Sequence, residues 1–523
     1  MRGLSFVALS ALAMALVACG GSNITPPPPS GPFSNSSLKG QYAFSMSGVD
    51  VNAAYIARVG SFTADGNGNI TGGLEDVLSL GSGQPAAIVS ITGGNYQIQS
   101  NGRGVVALQE ASGGELQLSI ALQTSTTGFL IETDLNATGS GALTQQTNAD
   151  FTTAALMNPY VFELSGVSFS GANAAPISMV GKIVANGNGN ITGGLMDTSD
   201  GNVAAPSGPT VVAPGIYALD TNGNGTNFGR GAMTFNGRSF AFYIVDTAHI
   251  KLLEEDNLGG SSGEALEQVG TIPTQNSQFN GSFVYLIGGA SVLGTQGPVG
   301  RVARYTADGN GVLGSISLDD NNDGNYTHIS QGSNISAASY AIDTANAGSG
   351  RGTFTFKDSG EGTFSDVFYM ISATQAAVQE TTPGIIGNGP LYAQTGGPFT
   401  LSGSAGLLVF NWTGVQLGSS TAVPYEEEFV GQYILTSATS SNISGATDYI
   451  ELGLSSETLY SNVGLGGMLT INGDGTNNNQ YKFALSGSPS ITVNFQAYFA
   501  NPGTLLMVCS DHTRTTAGVV KQQ

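Results

Sequence analysis

Cysteine, histidine, tryptophan and positive charge are all scarce in this 523-residue chain, which holds 2 Cys, 3 His, 1 Trp and 15 Lys plus Arg. Two cysteines, Cys19 and Cys509, are too few for a disulfide framework. The histidines, His249, His328 and His512, show neither HExxH nor Cys/His spacing, so zinc and Ser-His-Asp chemistry lack support. No acid pair stands out as a glycosidase dyad. We therefore assign no catalytic residue, no metal and no cofactor. With 36 acids the formal net charge is −21. That balance removes the basic patches that nucleic acid or an anionic membrane face requires. An acidic surface mainly supports solubility.

Charged residues are only 10% of the chain, well under the usual ~25%, while 40% are hydrophobic. The chain is thus too apolar to be disordered. Glycine, at 77 residues, is the abundant type. Glycine turns between short alternating apolar runs point to all-β domains, and the length suggests three or four at ~150 residues each.

The glycines recur in register. Ala64-Asp65-Gly66-Asn67-Gly68-Asn69-Ile70-Thr71-Gly72-Gly73 returns as Ala185-Asn186-Gly187-Asn188-Gly189-Asn190-Ile191-Thr192-Gly193-Gly194, and in worn form at Ala307-Asp308-Gly309-Asn310-Gly311. Successive copies lie 121 and 122 residues apart. A period that long means tandem domains rather than a solenoid. In the first unit Tyr42, Phe44 and Met46 alternate with small or polar residues, and residues 115–122 alternate without a fault. Gly and Asn accept positive φ, so the repeated motif is hairpin punctuation. About eight strands with short connections fill each unit, and no helical period is visible. We expect four antiparallel meander modules at 38–147, 148–270, 271–395 and 396–523, the last divergent. Small β-barrels are favoured over sandwiches because neighbouring-strand hairpins dominate and no long crossover is evident.

The N-terminus carries an address. Arg2 precedes an apolar run from Leu4 to Ala18, too short to span a bilayer, which needs ~20 residues. It ends in Leu16-Val17-Ala18-Cys19-Gly20, which resembles the lipobox of bacterial lipoproteins. The resemblance implies a signal peptide at 1–18 and acylation of Cys19, whose several acyl chains would moor the protein to the membrane. Gly20 rather than Asp implies the outer membrane. Residues 19–37, with four consecutive prolines at 26–29, form a linker with a reach of ~50 Å at ~3.1 Å per residue.

Comparing the repeats singles out two positions. Arg103, Arg230 and Arg351 each stand between glycines, and Glu132, Glu254 and Glu380 share a place in a late strand. In the fourth repeat these become Thr476 and Cys509. Joint loss suggests the structural ion pairs Arg103–Glu132, Arg230–Glu254 and Arg351–Glu380, because stranding one buried charge is costly. Cys509 then reads as a buried small hydrophobe, and Trp412 as a core residue of the fourth repeat. The Asp65 motif imitates a calcium loop but lacks the glycine at its sixth place, and a hairpin explains it better. The acidic stretch 319–324 has a higher charge density for calcium.

These features point to a non-enzymatic, lipid-anchored protein of the outer membrane. It would act as scaffold, spacer or adhesive array toward an envelope or extracellular polymer. Two alternatives are lipocalin-like barrels that hold small ligands, marked by repeated apolar cavities, and an envelope hydrolase.

Overall fold

The computed structural model describes residues 32–523 except 81–85, 135–136, 171–172, 204, 295, 332–334, 361, 419–424, 436–441, 454–455 and 485–490. The chain is all-β, as expected, and forms four antiparallel sheets covering residues 39–145, 159–267, 280–393 and 407–522. We call these barrels 1 to 4 and name strands by rank within each. Barrel 1 runs Lys39–Asp50, Tyr55–Asp65, Asn69–Ser79, Ala87–Ile98, Arg103–Glu110, Glu115–Leu122, Thr127–Glu132 and Ala137–Gln145. Barrels 1 and 4 close fully, each strand pairing with its sequence neighbours and the first with the eighth. Barrel 2 splits its fourth strand into Ser207–Val212 and Gly215–Leu219 and still closes. Barrel 3 splits it into Asn325–Ser330 and Ile335–Ile342 and nearly closes, through a Val312–Ser339 bridge and a Tyr340 N–H to Gly311 carbonyl bond of 3.0 Å.

The repeated motif makes the second hairpin turn. One Asp65 carboxylate oxygen accepts the backbone N–H groups of Asn67 (2.6 Å) and Asn69 (3.1 Å), and the other accepts the Asn69 amide (2.7 Å). Asn186 and Asp308 take the same backbone bonds in barrels 2 and 3. Both carboxylate oxygens of Asp65 are thus engaged by the turn itself. The acidic stretch of barrel 3 is likewise a tight hairpin, with Asp323 at φ 52° and Gly324 at φ 76°.

Period-two alternation sends Tyr42, Phe44, Phe62, Leu118, Ile120 and Leu130 into barrel 1, and each barrel is filled in this way by large side chains. Trp412 is fully buried in barrel 4, stacked on Phe410 at 3.9 Å. Several strands are buried on both faces. In the sixth strand of barrel 2, Phe240 to Val245 are all at 0% exposure. The outer faces are buried because the barrels pack on one another. Ala43, Ala57, Val59 and Leu78 of barrel 1 meet Tyr243, Val245 and Leu253 of barrel 2. Val161, Val180 and Leu195 of barrel 2 meet Val367, Tyr369 and Ile371 of barrel 3. Val284, Leu286 and Val302 of barrel 3 meet Tyr498, Leu506 and Val508 of barrel 4. Val409, Val430 and Ile450 of barrel 4 meet Ala121 and Ile131 of barrel 1.

In every seam the first three strands of one barrel face the later strands of the next. An interface that joins unlike surfaces closes only if its rotation returns to the start, and here four steps do so. The molecule is a ring. An even strand number brings the chain into and out of each barrel at one end, the base. Base meets base and mouth meets mouth across the seams: Gln146 reaches Phe228 and Ile244 at the bases, while Asn321 reaches Cys509 and Arg514 at the mouths.

Candidate functional site

The polar groups that repeat around the ring lie at the seams. Each third strand carries an outward aspartate: Asp76, Asp197, Asp319 and Asp448, all nearly or fully buried. Arg230 of barrel 2 grips Asp76 of barrel 1 with two bonds, Nε to Oδ2 at 2.8 Å and Nη2 to Oδ1 at 2.7 Å, and Tyr243 donates its hydroxyl at 2.7 Å. Arg351 and Tyr369 of barrel 3 repeat this on Asp197 of barrel 2, at 2.8, 2.8 and 2.7 Å. Arg103 of barrel 1 donates to Asp448 of barrel 4 at 2.7 Å and to Asn462 at 2.8 Å. Burial works against the charge of Arg230 and Arg351, but the facing carboxylates outweigh it and leave both above the ordinary arginine value.

The seam between barrels 3 and 4 differs. Thr476 stands where the arginine should be, so Asp319 takes hydroxyls from Tyr498 of barrel 4 and from its own Tyr326 (2.5 Å), with the His328 ring at 2.8 Å. Asp319 bonding lifts His328 above its ordinary pKa.

A second clasp sits at the base. The last glutamine of each barrel donates its amide to two backbone carbonyls of the next. Gln146 reaches Phe228 (3.0 Å) and Ile244 (2.6 Å), and Gln268 reaches Ser349 (3.0 Å) and Met370 (2.7 Å). Gln394 reaches Asp474 (3.3 Å) and Phe499 (2.8 Å), and Gln523 closes the circle on Asn101 (2.9 Å) and Leu122 (2.7 Å). One acceptor of each pair precedes a glycine with positive φ: Gly102, Gly229, Gly350 or Gly475. A Cβ on Gly229 would lie 2.7 Å from Phe151, which the incoming linker tucks beneath barrel 2.

The expected pairing of arginines with glutamates is corrected by these bonds. Each of the six faces a side chain of the opposite type, but none faces its expected partner. Arg103, Arg230 and Arg351 open the fifth strand at the base and point outward into the seam, whereas Glu132, Glu254 and Glu380 end the seventh strand at the mouth. The glutamates point into the barrel and meet other arginines. Glu132 pairs with Arg58 at 3.5 Å, Glu254 with Arg238 and Glu380 with Arg301. The losses in barrel 4 are separate events: Asp319 is held without an arginine, and beside the buried Cys509 the mouth is served by Arg514 and Glu427 at 2.9 Å. The signal for the seams was present in the sequence, since Asp76/197/319/448 and Gln146/268/394/523 each hold one repeat position. Cys19 lies outside the described residues.

The mouths are rich in buried acid. In barrel 1, Arg58 contacts Glu75, Glu110 and Glu132. One guanidinium balances one carboxylate. Burial, opposed by Arg58, pushes Glu75 up to about 7 and Glu132 up to about 8. In barrel 3, Arg301 lies over the Phe364 ring at 4.4 Å and binds Asp320 and Glu380. No group of three or more metal-binding side chains occurs among the described residues. Cavities of about 250 Å³ and 140 Å³ lie between barrels, one against Glu163, Glu264 and Tyr392, the other against Asp50 and Glu426.

No family model and no curated protein matches the chain. Among solved structures it is similar to a double mutant of transferrin binding protein B from Haemophilus parasuis Hp5, at 10% identity and a TM-score of 0.20 over 76% of this chain and 83% of that one. It is also similar to isotype 1 transferrin binding protein B from serogroup B Neisseria meningitidis, at 8% identity and a TM-score of 0.21 over 77% and 84%. Values this low carry no inference about function.

Proposed function

We propose that the chain is a non-enzymatic, lipid-tethered protein of the cell envelope whose ring of barrels is a rigid platform for binding an envelope or extracellular partner. One observation carries the reading. The three linkers, 146–158, 268–279 and 394–406, and the segment before Lys39 all lie at the barrel bases, which leaves four sets of mouth loops together on the opposite face. A tether from Cys19 would bring the base face to the membrane and turn the mouths away from it. Four adjacent loop sets would bind a repetitive partner with avidity even if each bound weakly. The strongly bonded polar groups also fit this reading, since the seam aspartates, arginines and glutamines are engaged in holding barrels together. The lipocalin-like alternative is disfavoured, because aromatic and aliphatic side chains fill the interiors that would have to hold the ligand.

The test joins palmitate labelling to protease shaving of intact cells. The wild type should take up label and lose its barrels to external protease, and Cys19→Ser should abolish the label. An unlabelled wild type, or barrels fully protected in intact cells, would overturn the proposal.

A further inference from the structure

In each barrel the two seam faces meet at the first and eighth strands, which therefore turn toward the ring axis. The larger cavity, about 250 Å³, lies there between barrels 2 and 3. Its walls come from the first and eighth strands of barrel 2 and the seventh and eighth of barrel 3. Val161, Leu266, Ile371 and Pro390 make much of that wall apolar. Solvent reaches the cavity, since Ser165 on its wall is exposed and the Glu264 side chain is 45% exposed.

Two carboxylates share this cavity. Glu163 and Glu264 are register partners on neighbouring strands, an arrangement that like charges disfavour. No other barrel has an acid at that level: the residues are Ser45 and Ala142 in barrel 1, Leu286 and Pro390 in barrel 3, and Asn411 and Val519 in barrel 4. Glu264 is already answered, by the His249 ring at 2.8 Å, the Lys251 ammonium at 3.8 Å and, across the axis, the charge of Lys521 from barrel 4. Glu163 is not. It is half-buried and has neither an ion pair nor a hydrogen bond among the described residues. The Tyr392 hydroxyl and the Gln375 amide, which line the same cavity, are likewise without a partner among those residues. Tyr392 is close enough to feel the Glu163 charge. Burial, with Glu264 adding to it, pushes the Glu163 carboxyl up to about 8, as befits an acid that lacks a counter-charge.

The cavity thus sets hydrogen-bond acceptors around one unanswered negative charge, against an apolar wall. An ammonium has three N–H donors and no acceptor, and Glu163, the Tyr392 oxygen and the Gln375 carbonyl are three acceptors. A calcium ion would ask for six or more oxygens, which an apolar wall does not offer. A dry cavity of ~150 Å³ takes up benzene, so this one has room for an amine of roughly five to eight non-hydrogen atoms. We propose that the cavity binds a primary ammonium on a short aliphatic chain, with Glu163 as its counter-ion, Tyr392 and Gln375 as further acceptors and the apolar wall against the chain. The site is separate from the mouth loops and does not depend on what they bind.

The test is titration calorimetry on the full-length chain at pH 8, where an aliphatic amine keeps its charge. The probe n-butylammonium should bind one site per chain with a Kd on the order of 1 mM. The neutral isostere n-butanol should bind about ten-fold more weakly or worse, because it offers no charged donor to Glu163. Glu163→Gln, which keeps the shape of the protonated acid, should weaken butylammonium by about ten-fold or more while leaving Tm at pH 5 unchanged. Tyr392→Phe, which removes only the phenol oxygen, should weaken it about three-fold. Glu426→Gln, the same change in the smaller cavity, should leave binding as it was. Nα-acetyl-lysine amide serves as a second probe: if it binds too, the natural occupant is a lysine side chain, and if it is excluded, a free amine. No binding of butylammonium, equal affinity for butanol, or undiminished binding by both the Glu163 and Tyr392 variants would overturn the proposal.

Discussion

At the scale of single residues, the seams rest on aspartates that cannot be left alone. Arg230→Ala would strand Asp76 in a buried site, and removing one partner of a buried pair costs about 3–5 kcal/mol. Denaturant unfolding should show that loss, and the double variant Asp76→Ala/Arg230→Ala should cost clearly less than the two single changes summed. Asp319 behaves differently because its cation is titratable. His328 has its pKa raised by Asp319, so its contribution is complete below the unfolded value near 6.5 and disappears as pH rises through the folded value. His328→Gln should therefore lower Tm at pH 6 and leave it unchanged at pH 9. An equal effect at both pH values would remove the ion pair from the account. The arginines themselves were conspicuous in the sequence, flanked by glycines in three repeats. Their partners were not, because Arg230 and Arg351 each bond an aspartate 154 residues upstream in another barrel. Repeat alignment reveals that a position is retained but not which copy it touches. Strand parity could have warned against pairing Arg103 with Glu132, since one points out at the base and the other inward at the mouth.

At the scale of elements, hairpins and strands were the most legible features, because glycine turns and period-two alternation are local. The turn at Asp65 comes with its own control, since barrel 2 builds the same turn on Asn186 at 2.9 and 3.2 Å. Asp65→Asn should leave Tm nearly unchanged, whereas Asp65→Ala should lower it by leaving the turn N–H groups without their acceptor. Calcium addition or chelation should leave the Tm of either protein unchanged; a rise with calcium would restore the ion-binding reading. Less legible were the strands buried on both sides. Residues 240–245, Phe-Ala-Phe-Tyr-Ile-Val, are a continuous apolar run rather than an alternation, and such a run marks a strand covered on two faces. Here the second cover is the neighbouring barrel.

At the scale of the whole molecule, an acidic chain that packs its barrels side by side must bury carboxylates, and it has too few cations to pair them. Burial, with the neighbouring Glu264 adding to it, pushes Glu163 up to about 8. Burial next to Glu427 does the same for Glu426. Glu75 and Glu132 in the mouth of barrel 1 rise to about 7 and about 8. In the unfolded chain such groups titrate near 4.3. Between that value and the folded one the native ring holds more protons than the unfolded chain, so stability falls as pH rises across the interval and levels off above it. Asp65, held down to about 2 by its turn bonds, acts in the opposite sense, and its contribution fades only as the solution becomes strongly acidic. The two trends place the stability maximum in mild acid. Scanning calorimetry should give a higher Tm at pH 5 than at pH 8.5. Glu132→Gln, which keeps the shape of the protonated acid but cannot ionise, should flatten that slope with little change at pH 5. A Tm that climbs from pH 5 to pH 8.5 would mean that these carboxylates are ionised in the native ring, and the acid-loaded mouths would then need cations that the described residues do not supply.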